Sequence, residues 1–309
     1  MKFIRPASVW PTTEDARAAA VEFGLTTAFM ATVFSLVRWG IDTVPPGVSI
    51  AEIHVRVAVV SALVGLVIVG FASSPPGRFS GAHMNPAITL GLFAFGSVPG
   101  RRVLPYLAAQ AGGSVAAAAV TRLLWGPAVS DTTVRWTVVQ PGRGWTGSSV
   151  TVAEAATLAV IVGVMCWAKA RRPALPLAWI VGGLFGLQGA LLGTFTGGSA
   201  NPARQLGPAL FSGQLHLLAV YLIAPVAGGM LAGWATCRLG YRTAPARTRS
   251  RPTDVVRRRP YVPRSGRRSR PAGTTRHVHP ARAGRSGRDV GTVAAGGGER
   301  RPGHHAGRV

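Results

Sequence analysis

Hydrophobic residues in the first 240 positions fall into long blocks separated by short polar breaks. Six windows, about residues 17–39, 53–74, 102–125, 151–170, 176–196 and 214–238, are mostly apolar, and each approaches the roughly 20 residues a helix needs to cross a bilayer. Two shorter apolar pieces, about 85–96 and 201–212, are too brief to cross, and each opens on Asn-Pro. Asn is a good helix cap and Pro suits the first helical turn. The pattern therefore predicts two half-helices that enter the membrane and turn back. Backbone that breaks helix at membrane depth is tolerated only where it is buried or lines a cavity. Two such breaks imply a pore or a binding site.

The two halves of the pattern repeat. Gly81-Ala82-His83-Met84-Asn85-Pro86-Ala87-Ile88-Thr89-Leu90-Gly91 aligns with Gly197-Gly198-Ser199-Ala200-Asn201-Pro202-Ala203-Arg204-Gln205-Leu206-Gly207. Downstream, Tyr106-Leu107-Ala108-Ala109-Gln110 matches Tyr221-Leu222-Ile223-Ala224-Pro225, each followed by paired glycines. Each half also places one acid in its first span, Glu22 and Glu154. Three spans per half mean that the second copy enters from the opposite face, and inverted repeats of this kind put the site at the midplane. The expected division is a cytoplasmic N-terminal segment (1–16), a first channel repeat (17–125), an extracytoplasmic loop (126–150), a second channel repeat (151–240) and a disordered basic tail (241–309).

Composition supports the membrane reading: 48% hydrophobic residues and 40 glycines against 14% charged belong to closely packed membrane helices rather than a soluble enzyme. The net charge of +24 is unevenly spread, because residues 241–309 carry 18 of the 34 basic residues and 3 of the 10 acidic ones. That tail is rich in Arg, Pro, Gly and His without apolar periodicity, which predicts disorder. Its charge suits anionic lipid or nucleic acid. Runs such as Arg257-Arg258-Arg259-Pro260 also match out-of-frame translation of GC-rich DNA, so no specific nucleic-acid partner is assigned. Elsewhere Lys2, Arg5, Arg17, Arg78, Arg101, Arg102, Lys169, Arg171, Arg172 and Arg238 fall on one side of the topology. Arg38, Arg56, Arg122, Arg135 and Arg143 fall on the other. The positive-inside rule then places both termini in the cytoplasm. Cys166 and Cys237 have no paired spacing and imply neither a disulfide nor a metal site. The N-terminus lacks a signal-peptide core, so the first span is expected to remain in the membrane.

Residues 80–91 and 196–209, with Asn85-Pro86-Ala87 and Asn201-Pro202-Ala203 at their centres, resemble the two signature loops of aquaporins and aquaglyceroporins. With the six-span repeat, the similarity covers about residues 15–240. It implies an all-α membrane protein with six transmembrane helices and two re-entrant half-helices in an inverted repeat. It further implies a homotetramer in the plasma (inner) membrane that passively conducts small neutral solutes and water and excludes ions and protons. No reaction is catalysed, and neither cofactor nor metal is needed. In this resemblance the positive ends of the half-helices meet at the pore centre, where Asn85 and Asn201 donate to a passing water and the local field opposes cations. Pro86 and Pro202 fix the turns, Ala87 and Ala203 let the loops touch, and Glu22 and Glu154 brace them. His83 shapes the cytoplasmic vestibule.

The same resemblance assigns a narrow filter to four positions. Counting from Asn201 gives Arg204, Gly198 and Gly189; the second-span contributor is Val64 or Gly65, because Ser73-Ser74-Pro75-Pro76-Gly77 is one residue longer than usual. A water-selective filter would show a bulky aromatic in the second span and His in the fifth, and this chain has neither. Two glycines and a small aliphatic around one guanidinium describe a wide opening. That set resembles the glycerol-, urea- and metalloid-conducting branches, the plant channels for silicic acid above all. Two alternatives stand beside it. Phe185 or Phe195 could narrow the mouth and leave a water-selective channel, or Glu22 and Glu154 could serve a proton relay in a gradient-coupled transporter. The loop at 126–150 carries Trp136 and Trp145, which read as interfacial anchors.

Overall fold

The computed structural model describes residues 10–42, 52–131 and 134–241, all within one compact unit, Met1–Arg249. The first nine residues, with Lys2 and Arg5, and the basic tail beyond Tyr241 lie outside the described residues. The helices are α1 (Thr13–Val37), α2 (Ile53–Ser73), α3 (Pro75–Ser80), α4 (Pro86–Phe95) and α5 (Gly100–Trp125) in the first half. The second half holds α6 (Gly147–Arg171), α7 (Leu177–Leu192), α8 (Pro202–Ser212) and α9 (Leu218–Arg238). No strand occurs among the described residues.

Local chemistry sets where these helices start. A reciprocal cap between Thr12 and Asp15 opens α1, and a similar one between Thr146 and Ser149 opens α6; such caps satisfy donors the first turn leaves unpaired. Asn85 and Asn201 cap α4 and α8, with Pro86 and Pro202 following in the first turn. Both half-helices then end on a glycine in the left-handed conformation, Gly96 at φ 89° and Gly213 at φ 69°, which ends a helix without the cost a side chain would bring.

Packing follows the repeat. α1 lies along α5 and α6 along α9; α4 packs on α9 and α8 on α5; α2 pairs with α7. Exchanging the halves maps each of these pairings onto another or onto itself. The α2–α7 crossing is closest at two glycines. A Cβ on Gly65 would lie 2.5 Å from the carbonyl oxygen of Gly182, and one on Gly182 would in turn meet the carbonyl of Gly65. Bare backbone at both positions is the condition for that approach.

Among the described residues, five helices are long and apolar enough to cross a membrane: α1, α2, α5, α6 and α9. α7 is apolar but has 16 residues, about 24 Å at the rise of an α-helix. The expected span 176–196 is thus cut short at Leu192. The physical reason lies in the next residues, where the Thr196 hydroxyl reaches Glu154 at 2.9 Å and the Thr196 carbonyl accepts from the Tyr221 hydroxyl at 2.6 Å. These bonds draw the chain out of helix towards the second re-entrant loop. Large apolar side chains, among them Leu123, Leu124, Val152, Leu191, Ile223 and Leu231, face outward. In water such a surface would aggregate; in lipid it is the matching face.

The basic residues gather at the two ends. Arg101 and Arg102 each place Nε 2.8 Å from the buried Asp15 carboxylate, tying the start of α5 to the start of α1. At the opposite end Arg38 donates to the Ala128 carbonyl at 3.2 Å and Arg56 to that of Ile41 at 3.1 Å.

Candidate functional site

Each re-entrant loop hangs from a buried glutamate. Glu22 on α1 accepts from the Ser80 hydroxyl (2.7 Å), the His83 and Met84 N–H groups (2.9 and 2.8 Å) and Gln110 Nε2 (3.0 Å). Glu154 on α6 accepts from the Thr196 hydroxyl and from the Ala200 N–H at 2.6 Å. Tyr106 and Tyr221 donate to the Ser80 and Thr196 carbonyls, both at 2.6 Å. Met84 and Ala200, the residues before the two asparagines, both sit at φ 47°, an uncommon conformation for residues with a side chain. Strain of that kind persists only where surrounding structure over-determines it, and here each strained N–H is bonded to its glutamate.

That strain points two carbonyls at the opposite loop. Asn85 Nδ2 donates to the Ala200 carbonyl and Asn201 Nδ2 to the Met84 carbonyl, both at 3.0 Å. Each Asn oxygen meanwhile accepts from its own helix, Ala87 N at 2.8 Å and Ala203 N at 2.9 Å. An amide nitrogen carries two hydrogens, so one on each asparagine is left over. α4 and α8 thus meet N-terminus to N-terminus, joined by reciprocal bonds, with Ala87 and Ala203 fully buried.

A cavity of about 700 Å³ runs past this junction. Asn85, Asn201, His83, Val64, Gly189, Gly198 and Arg204 all line it. Of the two second-span candidates, Val64 faces the cavity while Gly65 faces α7. Arg204 Nη1 donates to the Thr137 carbonyl at 2.8 Å, and its guanidinium stands 5.3 Å from the Phe34 ring centre. His83 Nδ1 lies 3.1 Å from the Thr89 hydroxyl, with the ring edge-on to Tyr106 at 5.3 Å. Among the described residues no three His, Cys, Asp or Glu side chains gather as a metal would require.

Several contributors escaped the sequence reading. Ser61 stands beside Gly189, its hydroxyl 2.6 Å from where a Cβ on that glycine would be. Ser114 bonds the Ala203 carbonyl and the Gly207 N–H, locking α8 to α5. Gln205 pairs with both backbone groups of Val139, donating at 3.0 Å and accepting at 2.8 Å. The connecting loop therefore folds onto the cavity mouth. Trp136 and Trp145 are accordingly half-buried, packed on Phe211 at 4.8 Å and on Phe195 at 5.7 Å. Their aromatic partners come from α8 and the second re-entrant loop. Phe185 and Phe195 both line the cavity.

A membrane-embedded helical bundle, built as an inverted repeat around a lumen where two half-helices meet, is the class of protein these elements define. The family model described as Major intrinsic protein matches residues 10–236, and the chain belongs to that family. It is 34% identical over 160 residues to aquaporin NIP1-4 of Oryza sativa subsp. japonica, across 52% of this chain and 57% of the relative. Probable aquaporin AqpM of Archaeoglobus fulgidus is 33% identical over 168 residues, across 51% and 67%. Aquaporin TIP4-1 of Zea mays is 33% identical over 223 residues, across 71% and 83%. The match to NIP1-4 thus spans less than two thirds of that relative's length. Among solved structures, the aquaglyceroporin from Plasmodium falciparum superposes with a TM-score of 0.61 at 18% identity, over 73% of this chain and 96% of that one. The likeness shows the same fold.

Proposed function

We propose that the chain is a passive channel for small neutral solutes, with glycerol, urea and undissociated hydroxylated acids of the metalloid type as cargo alongside water. The observation that carries this reading is the wall of the cavity at Arg204. Gly189 and Gly198, without side chains, share that stretch with one guanidinium and with Val64. Val64, Gly189, Gly198 and Arg204 act as the filter. Asn85 and Asn201 each turn a free amide hydrogen to the lumen at the positive ends of two helices. A water there is held as an acceptor, which breaks a proton wire, and a cation meets a repulsive field. Glu22 and Glu154 brace the loops, Pro86 and Pro202 set their turns, and His83 borders the vestibule. Both glutamates are occupied by loop donors, which favours bracing over a proton relay and a conduit over a coupled transporter or an enzyme. The channel assembles as a homotetramer in the inner membrane with both termini cytoplasmic.

One observation favours a second reading, water selectivity. The Ser61 side chain fills the space beside Gly189, and Phe195 lines the same cavity, so the opening is smaller than two glycines suggest. Stopped-flow swelling of proteoliposomes with glycerol, urea and boric acid separates the two. Permeation by these solutes above protein-free vesicles is the expected result. Water conduction with exclusion of all three overturns the solute reading.

A further inference from the structure

Buried polar atoms without partners mark places where a protein expects company, because leaving them unpaired costs free energy that folding must offset. Two of the residues that carry such atoms line the cavity. Gln188 is 8% exposed and Thr137 4%, and neither Gln188 Nε2 nor Thr137 Oγ1 finds a hydrogen-bond partner within the described chain. Both residues share the cavity wall with Arg204. By contrast Thr26 and Ser97, whose buried hydroxyls also lack partners, stand away from that wall.

The placement of the pair is specific. A Cβ on Gly198 would sit 3.5 Å from Gln188 Nε2, so the buried amide stands directly behind the bare glycine of the cavity wall. The Thr137 carbonyl receives Arg204 Nη1 at 2.8 Å, so the Thr137 hydroxyl belongs to the residue that holds the guanidinium in place. We infer that Gln188 and Thr137 complete, with Arg204, a hydrogen-bonding set that grips the hydroxyls of a passing polyol or undissociated oxyacid. This rests on the solute reading proposed above.

The chemistry narrows the occupant. Arg donates only, whereas a glutamine amide and a threonine hydroxyl each donate and accept. A solute that satisfies all three at once needs several groups able to do both, which describes a neutral polyhydroxylated molecule. Water satisfies the same groups, but one oxygen reaches fewer of them together.

Gln188→Met and Thr137→Val remove the polar atoms at nearly constant volume, and Thr137→Val keeps the carbonyl that holds Arg204. The glycerol-to-water permeability ratio, measured on the same proteoliposomes, is independent of how much protein inserts. Loss of one net hydrogen bond to the solute predicts that the ratio falls about fivefold in either variant, and further in the double variant. Gln188→Asn and Thr137→Ser, which keep an amide and a hydroxyl, recover most of it. An unchanged ratio in both apolar variants overturns the inference. Should Gln188→Met fail to insert, Thr137→Val decides alone, and an unchanged ratio there has the same force. A native chain that conducts water and no glycerol, urea or boric acid instead overturns the solute reading on which the inference stands.

Discussion

The two braced loops are copies of one another, yet they are held by different numbers of hands. Glu22 takes four donors, and the fourth is Gln110 from α5. Glu154 takes the Thr196 hydroxyl and the Ala200 N–H with the Ser199 backbone alongside. Its counterpart of Gln110 is Pro225, which has neither side-chain donor nor N–H. The half-helices differ in the opposite sense. α8 is fastened to α5 by Ser114, bonded to the Ala203 carbonyl and the Gly207 N–H. The equivalent place in α9 is Gly229, which lies bare against the Ala87 carbonyl. Then Ile88 follows the first Asn-Pro-Ala where Arg204 follows the second. What the halves share builds the conduit; what they do not share gives its two mouths different chemistry.

The largest test of the shared part is to remove a brace. Glu22→Ala strands the Ser80, His83, Met84 and Gln110 donors in a buried place, at about 1–3 kcal/mol for each one left unpaired. Glu154→Ala strands fewer. Thermal unfolding of the purified protein in detergent should therefore show both variants destabilised by several kcal/mol, Glu22→Ala the more. Water permeability should fall with the loop geometry in each. Equal destabilisation would mean that the count of donors does not govern the difference.

A smaller effect sharpens the same contrast. Gln110→Leu takes one donor from Glu22 and one partner from Thr89, making the first loop resemble the second. A typical hydrogen bond contributes about 0.5–1.5 kcal/mol net, and three donors remain on Glu22. Stability should drop by about that amount while conduction persists. Collapse to the level of Glu22→Ala would show that Gln110 holds the whole network, which Pro225 could never do for Glu154.

Much of this arrangement was legible in the sequence because it rests on residues whose types are tied to single tasks. Asn-Pro at a helix start, an acid inside an apolar span and Arg after the second motif each have few other uses there; the structure sets Asn85, Asn201 and Arg204 along one lumen and buries Glu22 and Glu154 behind the loops they hold. The rest rests on backbone geometry that residue types do not announce. Arg135, Trp136 and Thr137 all lie at positive φ, between 43° and 58°, without a glycine to signal it, so the loop's fold onto Arg204 was invisible. Hydropathy runs smoothly through Leu191-Leu192-Gly193-Thr194-Phe195, so the end of α7 had no signal until Thr196 found Glu154. Ser61, Ser114, Thr137 and Gln188 are ordinary small or polar residues in or beside apolar helices. Only their neighbours reveal what they do.

The smallest expected effect bears on the unshared part, the charge at one mouth. In a water-filled lumen a unit charge about 4 Å away raises a cation's energy by about 1 kcal/mol. Arg204→Val removes that charge while leaving both asparagines and both helix ends in place. Cation leak through vesicles should then rise by roughly fivefold, measured by the decay of an imposed sodium gradient. Proton leak should rise less, because the orienting amides of Asn85 and Asn201 are untouched. The opposite order, protons freed more than sodium, would place the proton barrier at Arg204 rather than at the junction of the half-helices. In that case the asymmetric mouth, and not the symmetric centre, would carry the exclusion of both ions.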